Sequence, residues 1–304
     1  MQLAPDSPKG WLFAVLRIIG VFTAAAVACL AALAWMTSTP GEDAPALASG
    51  SPELSEAERP VRARLLQHVE HLSVTIGRRN TNAGPAAIGA AAEYVEAQLA
   101  AASGRTVRSE AFDVTGDAGP VRARNLIVEL PGADRPEEIV IVGAHYDSDE
   151  FTPGADDNAT GTAGLIELAR AFGRSARPAP ERTLRFVAFV NEEPPWFGTE
   201  EMGSRVHAMG CTEREDRIVA MLSLEMLGFY SDAPDSQAYP HVLAPFYPTT
   251  GNFLAFVGDL HSRPLVHTAV RTFRAAARLP AEGLSAPQRM PGVNLSDHAP
   301  GGAG

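Results

Sequence analysis

Apolar positions along this chain recur with two periods, and the changes between them outline its elements. Residues 18–36, IIGVFTAAAVACLAALAWM, form an apolar run without a charge. As a helix rising about 1.5 Å per residue, such a run nearly spans a hydrocarbon core of roughly 30 Å. The stretch that follows, rich in Pro, Ala, Ser and Gly, has no period and reads as an extended linker. Ser55-Glu56-Ala57-Glu58 then reads as a capping box, with Pro60 suited to a first helical turn. Leu65, Leu66, Val69, Leu72 and Ile76 follow at helical spacing, and Ile88, Ala91, Tyr94, Val95 and Leu99 give a second stripe over 85–102. Residues 106–114 and 122–130 read as strands. The runs EIVIVGA (138–144), TLRFVAFV (183–190) and 217–224 read as buried strands, and 160–172 and 265–277 as helices. Strands alternating with helices predict an α/β fold: a mostly parallel sheet covered on both faces, with ligand sites at the carboxyl ends of its strands.

Charge places the apolar run. Lys9 and Arg17 precede it, Glu42, Asp43, Glu53, Glu56 and Glu58 follow it, and Trp11 and Trp35 flank it. Positive-inside logic predicts a cytoplasmic segment 1–17, a transmembrane signal-anchor 18–36, a linker 37–58 and a globular domain 59–304. That domain would lie outside the cytoplasm, in the periplasm or the extracellular space. A cleaved signal peptide, with Ala32-Leu33-Ala34 at the cleavage site, is the competing reading. The net charge of −11 argues against nucleic acid as a partner, since phosphate binding needs a basic face. With two cysteines, Cys29 and Cys211, neither a disulfide framework nor a thiolate zinc cluster is available. Any metal must be held by histidine and carboxylates.

Polar clusters follow the predicted strands. His145-Tyr146-Asp147-Ser148 comes after 138–144, and Gly154-Ala155-Asp156-Asp157-Asn158 follows a short loop. Asn191-Glu192-Glu193-Pro194-Pro195 comes after 183–190, Glu225 ends 217–224, and Ser296-Asp297-His298 stands near the end of the chain. Singly each has an ordinary explanation: a hydrogen-bonded histidine, a helix N-cap, a solvated acidic pair. Glu225 is harder to explain so, because Leu224, Met226 and Leu227 around it are apolar and a carboxylate there needs a partner. Taken together, two histidines and several carboxylates at strand ends make a nitrogen–oxygen ligand set suited to zinc, enough for two ions if one carboxylate bridges.

The segments GAHYDS, PGADDNATG, NEEPP followed by MGS, SLEM and SDHAP, in this order, resemble peptidase family M28. These are zinc aminopeptidases, a family that also includes glutaminyl cyclases and glutamate carboxypeptidases. The resemblance covers about residues 60–298. It implies a three-layer αβα sandwich of the zinc-exopeptidase kind and a metal-dependent exopeptidase acting on peptides, most readily an aminopeptidase. Glutaminyl cyclase-type acyl transfer and an inactive ectodomain are the alternatives. By resemblance His145 is a metal ligand oriented by Asp147, Asp156 bridges two zinc ions, and Asp157 follows through a peptide bond that is often cis in the family. Glu192 is the general base. The implied sets are His145, Asp156 and Glu225 for one ion, and Asp156, Glu193 and His298 for the other. Family members continue past the last histidine with a strand and a helix. The residues after His298 do not read as either, so the domain is expected to be incomplete at that end. The oligomeric state is left open.

Overall fold

The structure is a computed structural model and describes residues 7–41, 53–117, 119–173, 178–290 and 292–298. Its contacts divide the chain into two compact units, Ser51–Phe229 with Asn294–Gly304, and Met1–Gly50 with Tyr230–Val293.

The larger unit starts where the capping box predicts. The Ser55 N–H donates to Glu58 Oε2 at 2.7 Å and the Glu58 N–H to Ser55 Oγ at 3.3 Å. Helix α2 spans Glu58–Glu70 and runs on into a π-helical turn, His71–Ile76. Helix α3 is Pro85–Ser103, closed by Gly104 in the left-handed conformation. The strands β1 (Arg108–Gly116), β2 (Gly119–Leu130), β3 (Arg135–His145), β4 (Arg182–Phe189) and β5 (Arg217–Ser223) form one sheet in the order β1-β2-β4-β3-β5. Helix α4 (Gly161–Gly173) joins β3 to β4, and α5 (Gly203–Glu213) lies between β4 and β5. The sheet is mixed. β3 runs parallel to β4 and β5, while β2 is antiparallel to both β1 and β4.

Period-two alternation sorts the strands' side chains onto two faces. Leu126, Val128, Phe186 and Ala188 pack with Ile88, Val95 and Leu99 of α3 and Leu165 and Ile166 of α4. Ile127, Ile139, Ile141, Val187 and Phe189 pack on the other face with Cys211 of α5. Gly143 makes room for this second layer, since a Cβ there would stand 2.3 Å from the Phe189 ring. Helices therefore cover both faces. The sequence reading missed α5 because its buried residues, Gly203, Ser204, His207 and Cys211, make no apolar stripe.

The smaller unit holds α1 (Pro8–Thr37), a helix of 30 residues with none buried, long and apolar enough to cross a membrane. Pro8 opens it, and the Ser7 hydroxyl accepts the Gly10 N–H at 3.1 Å. The parallel strands β6 (Leu254–Gly258) and β7 (Ala281–Ser285) are joined by α6 (Arg263–Ala276), whose Val266 and Val270 are buried. Both strands are short and went unread in the sequence. The end of α1 is gripped by α6. The Arg263 guanidinium lies 4.2 Å from the Trp35 ring centroid and donates to Trp35 O at 3.0 Å and Ser38 Oγ at 2.9 Å. Arg274 donates to Gly41 O at 3.2 Å. The first residues of the expected linker are thus held along α6, and residues 42–52 lie outside the described ones.

In the larger unit, a buried polar network spans β1, β2 and α5. Glu110 Oε2 stands 2.9 Å from both His207 Nδ1 and Asn125 Nδ2. Burial pushes the Glu110 carboxyl up, but His207, Asn125 and Arg108 together outweigh this and bring it down to about 2. A depressed carboxylate contributes stability that is complete above its unfolded pKa, near 4.3, and lost as pH falls through the folded value. Urea unfolding should therefore show the wild type losing about 1–3 kcal/mol more than Glu110→Gln between about pH 4.5 and pH 2. Equal losses in the two proteins would contradict this reading of the network.

Candidate metal centre

The parallel strands β3, β4 and β5 end at one edge of the sheet, and each delivers a charged side chain there. β3 ends in His145, which is fully buried. Alternation turns Tyr146 the other way, where its hydroxyl donates to Arg124 O at 2.8 Å, and returns Asp147 to the side of His145. Asp147 Oδ1 lies 3.4 Å from His145 Nδ1. The same carboxylate accepts the backbone N–H groups of Glu192 at 3.3 Å and Glu193 at 3.1 Å. It therefore ties the end of β3 to the turn after β4.

That turn is irregular, as two adjacent residues aimed at one site require. Asn191 has a positive φ of 63°, and Pro194–Pro195 is cis. The segment 79–82 braces it. The Thr81 hydroxyl donates to Asn191 Oδ1 at 2.6 Å, and Asn80 Nδ2 donates to Pro194 O at 3.2 Å. Glu192 and Glu193 are both buried, and Glu192 Oε2 lies 3.8 Å from His145 Nε2.

Glu225 follows β5, with its Oε1 3.3 Å from His145 Nε2. Its Oε2 accepts the Ser296 hydroxyl at 2.8 Å. The partners that its apolar neighbourhood demands are thus a histidine and a serine from the far end of the chain.

The two neighbouring aspartates exchange the expected places. Asp157 Oδ1 lies 3.2 Å from His145 Nε2. Asp156 Oδ1 instead accepts the Gly228 N–H at 2.8 Å and the Thr160 hydroxyl at 3.3 Å. The cis peptide bond joins Asp157 to Asn158, one residue later than the resemblance implied. The cause is the local backbone. Gly154 takes a left-handed φ of 56°, and Asp157 leaves helical geometry at φ −100°, ψ 97°, so adjacent carboxylates point in different directions. Among the described residues the groups whose ligand atoms lie within 4.8 Å of one another are His145, Asp157 and Glu225, and His145, Glu192 and Glu193. His298 is half-buried and in neither group. Its neighbours approach the cluster instead. Ser296 reaches Glu225, and Asp297 is fully buried with neither oxygen hydrogen-bonded. The sequence reading gave Asp297 no role, although it stood within the quoted SDHAP segment.

The electrostatics of this cluster call for a cation. Asp147, Glu192, Glu193 and Asp297 are buried, and Asp157 and Glu225 partly exposed, around His145, with Arg79 the nearby positive charge. Burial, reinforced by Asp297, Asp147 and Glu225 and opposed by His145, pushes Glu192 up to about 9. Burial and Asp157 push Glu193 up to about 7, and burial pushes Asp297 up to about 7. His145 responds in the opposite sense. Desolvation lowers it, but Asp147, Asp157 and Glu225 hold it well above the usual histidine range. Protons are thus retained where positive charge is lacking. The orphaned Asp157 Oδ1 and the convergence of imidazole nitrogen with carboxylate oxygens fit a divalent metal such as zinc.

The chain thus pairs a mixed sheet covered on both faces with an imidazole–carboxylate cluster at its strand ends. Residues 125–271 match the Peptidase family M28 model, the family that the motifs resemble. It is 38% identical over 216 residues to the Escherichia coli protein YfbL, across 68% of this chain and 63% of that protein. It is 31% identical over 220 residues to leupeptin-inactivating enzyme 1 of Streptomyces exfoliatus, across 70% of this chain and 45% of that enzyme. The chain thus spans less than two thirds of these relatives' lengths. The fold is shared with a Zn-dependent exopeptidase of Parabacteroides distasonis (TM-score 0.53, 19% identity, 77% of this chain and 78% of that one). It is also shared with the glutaminyl cyclase of Macrostomum lignano (TM-score 0.56, 19% identity, 86% and 83%).

The adjacent aspartates should separate in a metal titration. Asp157→Asn is expected to weaken zinc binding by about 10-fold or more, as loss of a direct ligand does, while Asp156→Asn stays within about threefold of wild type. Competition with a chromogenic chelator measures both. The reverse order would reinstate Asp156.

Proposed function

We propose that this chain is a zinc-dependent exopeptidase, most readily an aminopeptidase, anchored in a membrane by α1 with its catalytic unit outside the cytoplasm. The convergence of Asp157, Glu192, Glu193 and Glu225 on the buried His145 carries the reading. In it, His145, Asp157 and Glu225 would hold one zinc ion and Glu193 would contribute to a second. Zinc supplies Lewis acidity toward the scissile carbonyl and the attacking water. The chain's own groups do the rest. Asp147 fixes the His145 ring through Nδ1, which leaves Nε2 directed at the cluster. Glu192 is the general base. Its backbone is pinned by Asp147, and its carboxylate takes the proton of the attacking water and returns it to the leaving amine.

Glutaminyl cyclase-type acyl transfer is the second reading. One complete set, His145–Asp157–Glu225, favours it, since that chemistry needs a single ion. Two assays separate the readings: hydrolysis of a panel of aminoacyl and peptidyl substrates, and cyclisation of peptides with N-terminal glutamine. Zinc-loaded wild type should hydrolyse members of the panel. Glu192→Gln should keep its zinc while kcat falls about 10²–10⁴-fold, the usual contribution of a general base. A fully active Glu192→Gln variant would remove Glu192 from this role, and activity confined to glutaminyl peptides would favour the cyclase.

A further inference from the structure

Arg79 lies behind the cluster, and the reaction proposed above makes no use of it. It is the largest fully buried side chain of the described residues. A guanidinium is a planar fork of five N–H donors that keeps its charge even when buried. Here the fork is spent on backbone carbonyls. Nε donates to Tyr146 O at 2.7 Å, and Nη2 to Gly154 O at 2.8 Å. Nη1 reaches Pro153 O at 2.6 Å, Gly77 O at 3.2 Å and Leu72 O at 3.3 Å. The backbone adds a reciprocal pair with Ser148: the Arg79 N–H donates to Ser148 Oγ at 3.2 Å, and the Ser148 N–H to Arg79 O at 3.0 Å.

The identity of these acceptors matters. Tyr146 stands between His145 and Asp147. Pro153 and Gly154 open the turn that delivers Asp157. One side chain therefore sets the spacing between the two loops whose carboxylate and imidazole meet at 3.2 Å. Gly154 makes the approach possible, since a Cβ there would lie 3.1 Å from Arg79 Nη2 and 2.3 Å from Asp157 O. Burial brings the guanidinium down to about 10, and Asp147, Asp157 and Glu193 oppose that fall, so it stays charged behind their carboxylates.

We propose that Arg79 is a positioning residue of the cation cluster, fixing Asp157 relative to His145 by bonding the carbonyls of Tyr146, Pro153 and Gly154. This rests on reading the cluster as a metal site. Lysine at this position would keep the charge, but its single ammonium cannot reach carbonyls on both loops.

The test is a set of zinc affinities on the full chain, measured by chelator competition for wild type, Arg79→Lys, Asp157→Asn, Glu225→Gln and the two doubles that contain Arg79→Lys. Arg79→Lys should bind zinc at least tenfold more weakly than wild type. On top of Asp157→Asn it should add less than threefold, because the ligand it positions is already gone. On top of Glu225→Gln, whose loop Arg79 does not touch, it should cost its full tenfold. General loosening of the fold would weaken binding equally in both backgrounds, and that result would overturn the proposal, as would an unchanged affinity of Arg79→Lys. Should Arg79→Lys fail to fold, Arg79→Gln, whose amide keeps fewer of the same donors, should show the same coupling to Asp157. A wild-type chain that binds no zinc would overturn the metal-site reading itself, which separates the two failures.

Discussion

The Asp147 carboxylate accepts two backbone N–H groups and stands 3.4 Å from a histidine nitrogen. It receives the edge of the His145 imidazole from β3 and the consecutive N–H groups of Glu192 and Glu193 from the turn after β4. A buried carboxylate without such partners would cost several kcal/mol in lost hydration. With them it becomes the fixed point of the cluster. It orients the ring, shapes the irregular turn and brings two glutamates to one place. The sheet makes this possible. β3 lies between β4 and β5, so the carboxyl ends of three parallel strands open onto one edge, where open α/β sheets bind their ligands.

The remainder of the larger unit supports that edge. The buried segment 79–82 stitches the 145–148 strand end, the Pro153–Gly154 turn and the Asn191–Pro194 turn together through backbone carbonyls and the Asn191 side-chain oxygen. Asn125 extends the bracing. Its Oδ1 accepts the Val190 N–H at 3.2 Å while its Nδ2 donates to Gly203 O at 2.8 Å, just before the glutamate pair and at the start of α5. The cluster itself is under-neutralised. Glu192, Glu193 and Asp297 are all held above their ordinary range, and so is His145. A divalent cation would relieve this strain in charge directly.

Much of this was legible in the sequence, and the exceptions have local causes. Strands with continuous apolar runs, such as EIVIVGA, declared themselves, and so did the polar residues that end them. Glu225 stood out because its neighbours are apolar. Which of two adjacent aspartates turns inward was not legible, because spacing is blind to the left-handed Gly154 and the extended Asp157 that decide it. His298 and Asp297 raised the same ambiguity, and there it is Asp297 that is fully buried beside the cluster. Arg79 escaped notice because it acts on backbone carbonyls, which carry no sequence signal. The helix α5 has no stripe to read, and β6 and β7 have only five residues each.

The central claim is that one buried histidine and the carboxylates around it form a cation site. It is tested most directly by an anomalous-scattering map at the zinc absorption edge, from crystals of the full chain grown with zinc. The account predicts a strong peak within about 2.0–2.2 Å of His145 Nε2 and of carboxylate oxygens of Asp157 and Glu225. A map with no peak at His145, or with zinc held only at exposed histidines such as His261, would contradict it.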